Sequence, residues 1–122
     1  MKRCMIVDRS SVVRKVAKRI LQAPEMVVVV AESGRQAVSM CEADMPDIIL
    51  VDIDMPDMEI ETFVGTILHL EADRRPHIVV TMNEMDLPGF MRAKRVGAND
   101  YMLKPFDRAI LLSRFRTFAI AA

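Results

Sequence analysis

Several features are scarce or absent in this chain, and each absence narrows the kinds of protein it can be. The 122 residues include no tryptophan, one tyrosine, four glycines and two cysteines. Cys4 and Cys41 lack the spacing of a metal site or a disulfide framework, so we interpret them as buried thiols of a reducing compartment. No apolar run approaches the length of a membrane span, and the run after Arg3 is too short for a signal peptide. We therefore expect a cytoplasmic protein with no membrane insertion.

Positive charge is absent from the middle of the chain. No lysine or arginine lies between Arg35 and Arg74, whereas acidic residues are concentrated there. The formal net charge is nevertheless zero, because 17 basic residues balance 17 acidic ones. Balanced charge disfavours wholesale binding of nucleic acid, and we expect no DNA partner. A hydrophobic content of 52% in a chain of this length predicts one compact domain spanning residues 1–122.

Short apolar runs alternate with amphipathic segments along the whole chain. The runs predict five strands, and the segments between them carry apolar residues at helical spacing and predict five helices. Strands are expected at residues 4–7, 27–30, 47–51, 78–81 and 100–103. Helices are expected at about residues 12–21, 33–41, 60–70, 87–96 and 106–118. The uniform valine run of the second strand predicts burial on both of its faces.

Strict alternation of strands and helices with short loops predicts helices on both faces of a parallel sheet. Five strands suit a flavodoxin-like, doubly wound (βα)5 three-layer sandwich with strand order 2-1-3-4-5. Ligands and chemistry gather outside the carboxyl ends of the strands in such a sheet. Four apolar runs end there in a charged or reactive residue, namely Asp8, Asp52, Thr81 and Lys104. We therefore predict one site that brings these four side chains together.

In this order and at these spacings, the residues resemble the receiver domains of two-component response regulators, especially the single-domain chemotaxis type. The resemblance spans essentially the whole chain. It rests on Asp8 after the first strand, on 52–56 (DIDMP) after the third, and on Thr81 after the fourth. It rests also on 104–106 (KPF) after the fifth strand, with 97–101 (GANDY) preceding.

The resemblance implies that Asp52 is the phosphoacceptor, which takes a phosphoryl group from a histidine kinase or a phosphotransferase. A carboxylate is a poor nucleophile unless fixed cations stabilise the charge on the phosphoryl oxygens. Lys104 would supply one such cation, through a cis peptide bond to Pro105, and Thr81 would bond a phosphoryl oxygen. A protein of this kind signals through protein contacts and is not an enzyme.

The resemblance also implies a metal site and a switch. Mg²⁺ would bind Asp8, Asp52 and the backbone carbonyl of Asp54. Thr81 and Tyr101 match the residues whose movement on phosphorylation remodels the face formed by the fourth helix, fifth strand and fifth helix. A downstream protein would bind that face. A homodimer stays open as a further partner.

Arg9 departs from the family pattern, in which a second acid follows Asp8. The change removes a metal ligand and adds a cation, so Mg²⁺ is expected to bind weakly. The guanidinium could pair with Asp8 or Asp52, which would partly neutralise the site without metal. Alternatively, Arg9 could turn outward to solvent.

Two further departures concern the neighbouring loops. Met82 follows Thr81 where the family usually has a small residue, and we expect it to narrow access to the phosphoryl group. Glu59 and Ile60 replace an acid-glycine pair after the third strand. A turn that usually uses the conformational freedom of glycine must therefore be built differently.

Two other functions stay open from the sequence. A pseudo-receiver, suggested by Arg9 and Met82, would keep the fold and act constitutively by binding proteins. A ligand sensor would bind a nucleotide such as cyclic di-GMP on an arginine-rich face of the fourth and fifth helices. The basic residues expected on or near that face are Arg92, Lys94, Arg95, Arg108, Arg114 and Arg116. A flavodoxin-like cofactor binder is disfavoured, because the loops after Val7 and Thr81 lack a phosphate cradle rich in glycine or hydroxyl groups.

Overall fold

The computed structural model describes residues 2–121, with side chains up to Phe115, as five strands alternating with five helices. The strands are β1 (Lys2–Val7), β2 (Met26–Ala31), β3 (Ile48–Asp52), β4 (His77–Met82) and β5 (Asp100–Leu103). The helices are α1 (Ser11–Leu21), α2 (Gly34–Ala43), α3 (Ile60–His69), α4 (Leu87–Val96) and α5 (Arg108–Ala121). All ten elements predicted from the sequence are present.

The five strands form one parallel sheet in the order β2-β1-β3-β4-β5, which confirms the predicted flavodoxin-like architecture. At the centre of the sheet, Val7 of β1 lies opposite Val51 of β3. On the other side of β3, Asp52 lies opposite Thr81 of β4. The carboxyl ends of the strands therefore meet at one edge of the sheet, which we call the carboxyl edge; the other is the amino edge.

Side-chain alternation along the strands builds a hydrophobic core on each face of the sheet. One core lies between the sheet and α2, α3 and α4, and it contains Val51 and Phe63. The other lies between the sheet and α1 and α5, and it contains Leu50 and Leu111. All five residues of β3 are buried, because this central strand is covered on both faces. Asp52 is thus held at the end of the most enclosed strand.

β2 differs from its predicted burial. We expected a strand buried on both faces, whereas Val27, Val29 and Val30 are only half-buried. The reason is that β2 is an outermost strand of the sheet, which pairs with β1 alone. The prediction of the strand was right and that of its complete burial was wrong.

α5 begins two residues later than predicted. Asp107 accepts the backbone N–H of Ile110 at 3.0 Å through its side chain, so it caps the helix and Phe106 lies in the preceding loop. The helix continues to Ala121, beyond the predicted end at residue 118. Within the described residues, no helix combines the length and the apolar character that crossing a membrane requires.

Caps set the ends of the helices nearest the carboxyl edge. Ser10 accepts an N–H from the first turn of α1, and Asp86 accepts the N–H of Gly89 at 2.9 Å in the first turn of α4.

The C-terminal end of α4 is set by Gly97, whose φ is 127°. A side chain there would be strained and would also collide with Leu68 of α3. Glycine at this position therefore lets α4 end against α3.

Cys4 in β1 and Cys41 in α2 are free and buried. The Cys41 Sγ lies 3.8 Å from the Sδ of Met5. Burial raises the pKa of both thiols, that of Cys41 to about 11. Both are therefore protonated at neutral pH and fill the core as small hydrophobic groups.

Candidate functional site

Four of the five polar side chains that are buried in the described chain lie at the carboxyl edge. Asp8 directly follows β1, Asp52 ends β3, Thr81 lies near the end of β4 and Lys104 follows β5. The fifth, Asp47, lies at the amino edge just before β3. Buried charges are rare unless they are paired. The structure thus brings together the four residues that the strand ends predicted.

Lys104 is the central cation of this cluster. Its Nζ donates to Asp8 Oδ2 at 2.8 Å and lies 3.3 Å from Asp52 Oδ1. The side chains of Lys104, Asp8 and Asp52 are only 6%, 3% and 7% exposed. The Lys104–Pro105 peptide is cis, as the resemblance implied, and the Lys104 N–H donates to the Met82 carbonyl at 2.8 Å. Two buried carboxylates therefore share one ammonium group.

The remaining oxygens of the two carboxylates differ in their partners. Asp8 Oδ1 accepts the backbone N–H of Ser10 at 2.8 Å, so both of its oxygens are bonded. Asp52 Oδ1 accepts the N–H of Asp54 at 3.3 Å in addition to its contact with Lys104. Among the described residues, none bonds Asp52 Oδ2. This oxygen keeps its full capacity to accept a bond or to attack an electrophile.

The surroundings of Asp52 make its charge costly. Burial raises the pKa of this carboxyl above its ordinary value of 3.8. The neighbouring Lys104 ammonium opposes the shift, whereas the charge of Asp8 adds to it. The net direction is upward because burial is the largest of these effects. A further positive charge beside Asp52 would oppose this upward shift of the pKa, as Lys104 does.

Arg9 is exposed, and no ion pair among the described residues involves it. Of the two orientations left open by the sequence, the outward one is confirmed and pairing with Asp8 or Asp52 was wrong. The physical reason is that Asp8 is already bonded by Ser10 and Lys104. Arg14 instead turns toward the site from α1 and donates to the Asp8 carbonyl at 2.7 Å.

The resemblance implies that this acidic pocket binds Mg²⁺. In the part of the chain that the structure describes, no group of three or more histidine, cysteine, aspartate or glutamate side chains has a metal-binding arrangement. Asp8 and Asp52 alone suit a Mg²⁺ that takes one or two carboxylates and keeps several waters. Asp54, expected to contribute its backbone carbonyl, is exposed directly beyond Asp52. The donor set therefore fits Mg²⁺ with few protein ligands.

The two residues expected to form the switch lie on neighbouring strands. The register sets Met102 opposite Thr81, and Tyr101 opposite Val80. Tyr101 is half-buried, and its ring packs edge-on against Phe90 of α4, with the ring centroids 5.2 Å apart. Tyr101 thus contacts the helix whose remodelling the resemblance implied. Its coupling to Thr81 stays a prediction.

Met82 is only 1% exposed and belongs to the core that faces α2, α3 and α4. Its Sδ accepts the backbone N–H of Asp86 at 3.3 Å. The Met82 side chain therefore joins the loop between β4 and α4 to the hydrophobic core. Narrowing of access to a phosphoryl group by Met82 stays a prediction.

Asp57, in the loop between β3 and α3, is a residue that the sequence reasoning missed. Its Oδ1 accepts the N–H of Gly34 and its Oδ2 accepts the N–H of Arg35, each at 2.9 Å. Slight burial would raise the pKa of Asp57, but the bonds from Arg35 and Gly34 outweigh it and lower the pKa. The one signal in the sequence is that the first turn of α2 carries no acid of its own.

The loop that lacks the usual glycine is therefore anchored by other means. Met58 lies against Gly34, where a Cβ would come within 2.8 Å of its Cγ and Sδ atoms. Glu59 occupies the N-cap of α3 without a side-chain capping bond. Ile60 begins α3 and is buried in the core. Contacts to α2 on one side and to the core on the other replace the flexible turn.

The arginine-rich face expected on α4 and α5 is partly neutralised. Arg92 pairs with Glu61 of α3 at 3.0 Å, and Arg114 pairs with Asp100 at 2.9 Å. These contacts weaken the hypothesis of a nucleotide sensor. In the described chain Arg92, Lys94, Arg95 and Arg108 are exposed on this face, and the last three make no ion pair there. The side chain of Arg116 lies outside the described residues.

Between β5 and α5 lies a groove of about 360 Å³ whose rim includes Leu103, Ile110 and Arg114. Leu103 is 46% exposed and Ile110 is 58% exposed. Both side chains therefore present apolar surface to solvent beside the groove. The groove belongs to the face of α4, β5 and α5 that the resemblance implied as the output surface.

Comparison with known proteins agrees with this geometry. The chain matches the family model described as the response regulator receiver domain over residues 4–116. It is 33% identical to the chemotaxis protein CheY of Bacillus subtilis over 106 residues, which cover 86% of this chain and 87% of that protein. The structure of the chemotaxis protein CheY4 of Vibrio cholerae has a TM-score of 0.88 at 26% identity, covering 97% of this chain and 98% of that one.

Longer proteins contain the same kind of domain. The chain is 34% identical over 108 residues to a protein-glutamate methylesterase/protein-glutamine glutaminase of Nitrobacter winogradskyi. This match covers 84% of the chain but 25% of that protein, so the chain spans about a quarter of its length. The response regulator domain of Thermotoga maritima CheB has a TM-score of 0.82 at 25% identity, covering 99% of this chain and 96% of that one. The family match over residues 4–116 shows that this chain belongs to the receiver domains of the response regulators of two-component signalling.

Proposed function

We propose that this receiver accepts a phosphoryl group on Asp52 from a histidine kinase or a phosphotransferase and passes the signal on through protein contacts. The observation that carries the proposal is the buried cluster in which Lys104 contacts both Asp8 and Asp52. The other carboxylate oxygen of Asp52, Oδ2, has no hydrogen-bond partner among the described residues and is therefore available to attack phosphorus. A cation beside a carboxylate of this kind is what phosphoryl transfer to an acid requires.

In the proposed reaction, an oxygen of Asp52 forms a bond to phosphorus while the P–N bond of a phosphohistidine breaks. The electron pair of that bond returns to the imidazole nitrogen, and the phosphoryl group becomes an aspartyl phosphate. Lys104 stabilises the charge on the phosphoryl oxygens, and Thr81 donates its hydroxyl proton to one of them. Hydrolysis of the acyl phosphate later restores the carboxylate and releases inorganic phosphate.

Bound Mg²⁺ would add positive charge beside the phosphoryl oxygens, held by Asp8, Asp52 and the backbone carbonyl of Asp54. We expect its binding to be weak, because Arg9 replaces an acid and Lys104 already satisfies an oxygen of Asp8. A titration of wild type and Arg9→Asp with Mg²⁺ checks this directly. The variant should bind Mg²⁺ at least about tenfold more tightly, since it gains a carboxylate and loses a cation.

The proposed output surface is the face of α4, β5 and α5, where Tyr101 contacts Phe90 and a groove opens beside Leu103. A downstream protein would bind there, or a second copy of this chain in a dimer. We propose no enzymatic activity for the domain itself, because the matched methylesterase aligns over only a quarter of its length. The two free thiols are consistent with a cytoplasmic protein.

The phosphate analogue beryllofluoride, added with Mg²⁺, tests the proposal without a known kinase. The amide resonances of residues near Asp52, and then of Tyr101, should shift on titration. Asp52→Asn should abolish these shifts while keeping the fold. An unchanged amide spectrum of the wild type at saturating reagent would contradict the proposal.

One observation favours a second candidate, a pseudo-receiver that acts without phosphorylation. In the described chain only two carboxylates remain for a metal, and Lys104 bridges them. In that case the ion cluster would be a permanent structural feature. Asp52→Asn would then retain cellular activity, whereas loss of activity in this variant would reject the pseudo-receiver.

A further inference from the structure

The first turn of α2 has an unusual set of hydrogen-bond acceptors. The first four N–H groups of a helix have no partner within the helix. Here Ser33 accepts the N–H of Gln36 through its side chain at 3.1 Å, while its carbonyl accepts the N–H of Ala37 in the first regular bond of the helix. The N–H groups of Gly34 and Arg35 donate to Asp57, which lies more than twenty residues further along the chain. A distant carboxylate therefore completes the N-terminus of α2.

Asp57 is tied to α2 through both of its oxygens, each 2.9 Å from its donor. Such bonds to an ionised acceptor are stronger than neutral ones, and the N-terminal end of a helix favours negative charge. Met58 adds an apolar contact, because it lies against Gly34 with no room for a Cβ between them. Together these contacts fix the middle of the loop at residues 53–59.

The beginning of the same loop adjoins Asp52. The Ile53 N–H donates to the Thr81 carbonyl at 2.8 Å, and the Asp54 N–H donates to Asp52 Oδ1 at 3.3 Å. The second of these bonds is long and involves an exposed residue. It is therefore the contact most sensitive to movement of the loop, and Asp57 lies three residues beyond it.

We propose that Asp57 is a positioning residue, which holds the loop after β3 against α2 and thereby sets the Asp54 backbone and the carboxylate of Asp52. This inference rests on the proposed function for its effect on phosphorylation, but not for its effect on the loop. Asp57 touches neither Asp52 nor Lys104 through any described hydrogen bond. It acts through the Asp54 backbone and takes the place of the glycine-dependent turn.

Two substitutions at Asp57 and one matched control test the proposal. Asp57→Asn keeps the shape of the side chain but leaves one acceptor oxygen, and Asp57→Ala removes both. Glu59→Gln removes a carboxylate charge from the same loop at a residue that makes no side-chain capping bond. Amide hydrogen exchange is measured at Gly34, and at Asp54 beside the site.

We expect faster exchange at both amides in Asp57→Asn, still faster exchange in Asp57→Ala, and wild-type exchange in Glu59→Gln. With acetyl phosphate and Mg²⁺, the maximal rate of phosphorylation should fall about tenfold in Asp57→Asn, as expected for a misplaced reacting group. The acetyl phosphate concentration at half-maximal rate should not change, because Asp57 does not contact the donor. A purely structural role would leave the maximal rate of the folded protein unaltered.

The outcomes separate the two proposals. Faster exchange at Gly34 with unchanged exchange at Asp54 would overturn the positioning role, whatever the phosphorylation result. Faster exchange at both with an unchanged maximal rate would also overturn it. A wild-type protein that is not phosphorylated at all would contradict the proposed function alone, and the exchange at Asp54 would still decide the role of Asp57.

Discussion

At the amino edge of the sheet Asp47 is buried beside Arg74, and at the carboxyl edge Asp8 and Asp52 are buried beside Lys104. One oxygen of Asp47 accepts a backbone N–H of β1 at 2.8 Å, and the other pairs with Arg74 at 2.9 Å. At the carboxyl edge, by contrast, two carboxylates share one ammonium group. Both oxygens of Asp47 thus have partners, whereas Oδ2 of Asp52 has none among the described residues.

The cations of the two edges also differ in exposure. Arg74 is 70% exposed, whereas the side chain of Lys104 is 6% exposed. An exposed cation is screened by water and can leave its partner at little cost. A buried cation cannot, and its field acts fully on the groups beside it. The comparison teaches that the bonds of Asp47 are complete, whereas acceptor capacity remains on Asp52, the residue for which we propose reactivity.

Lys104→Met has the largest expected effect. It leaves Asp8 and Asp52 buried without their counter-ion, which should lower the free energy of unfolding by about 3–5 kcal/mol at neutral pH. Urea unfolding followed by circular dichroism measures this change. Lys94→Met, at an exposed position, is the control and should change stability by less than about 0.5 kcal/mol. Equal losses in the two variants would mean that the buried cluster is not coupled as described.

Asp47→Ala tests the amino edge and should have a smaller effect. It leaves the partly buried backbone N–H of Arg3 without its acceptor, at a cost of about 1–3 kcal/mol in unfolding free energy. Arg74→Ala should cost less than about 1 kcal/mol, because this arginine is largely exposed. The rate of phosphorylation by acetyl phosphate should stay at the wild-type value in both. A phosphorylation rate clearly below that of the wild type in either variant would remove the distinction between the edges.

Asp52→Asn should show a stability difference that depends on pH. Burial raises the pKa of Asp52 above 3.8 in the folded protein, so ionisation there favours the unfolded chain. Below pH 3.8 the carboxyl is protonated in both states and this penalty is absent. As the pH rises through the raised pKa, the wild type loses stability that the asparagine variant keeps.

Urea unfolding of wild type and Asp52→Asn between acid and neutral pH measures this linkage. The variant should be the more stable protein at neutral pH, and the difference should shrink as the pH falls. A difference of the opposite sign at neutral pH would show that Lys104 outweighs burial at this carboxyl.

Gly65→Ala is a reference substitution, because Gly65 belongs to neither edge and the expected change in stability is small. A Cβ on Gly65 in α3 would meet no atom within 4 Å. Alanine should therefore raise the free energy of unfolding by about 0.5–1 kcal/mol through its better helix propensity. Gly97→Ala is the counterpart and should destabilise, because its φ is 127° and Leu68 occupies the space. Destabilisation by Gly65→Ala would contradict the described packing of α3.

The architecture and the four residues of the carboxyl edge could be predicted because both depend on local patterns. Apolar runs and helical spacing identify the ten elements, and parallel topology then forces the strand ends to one edge. Asp52 is the last residue of β3, and Lys104 directly follows β5. Their proximity can therefore be predicted from the topology without knowledge of side-chain packing. The partial exposure of β2 was missed because burial depends on which strand is outermost in the sheet.

Other features depend on contacts between distant segments, which the sequence does not display. The Arg9 side chain points to solvent because Ser10 and Lys104 already bond both oxygens of Asp8. The basic face was overestimated because Glu61 of α3 reaches Arg92 from a neighbouring helix. The bonds from Asp57 to α2 join segments more than twenty residues apart.

Location of the phosphoryl group on the protein tests the central claim most directly. Wild-type protein is incubated with acetyl phosphate and Mg²⁺, reduced with borohydride so that an acyl phosphate becomes an alcohol, and analysed by peptide mass spectrometry. We predict modification at Asp52, with none in Asp52→Asn. Absence of modification in the wild type, or modification of another residue that persists in Asp52→Asn, would contradict the assignment of Asp52 as the phosphoacceptor.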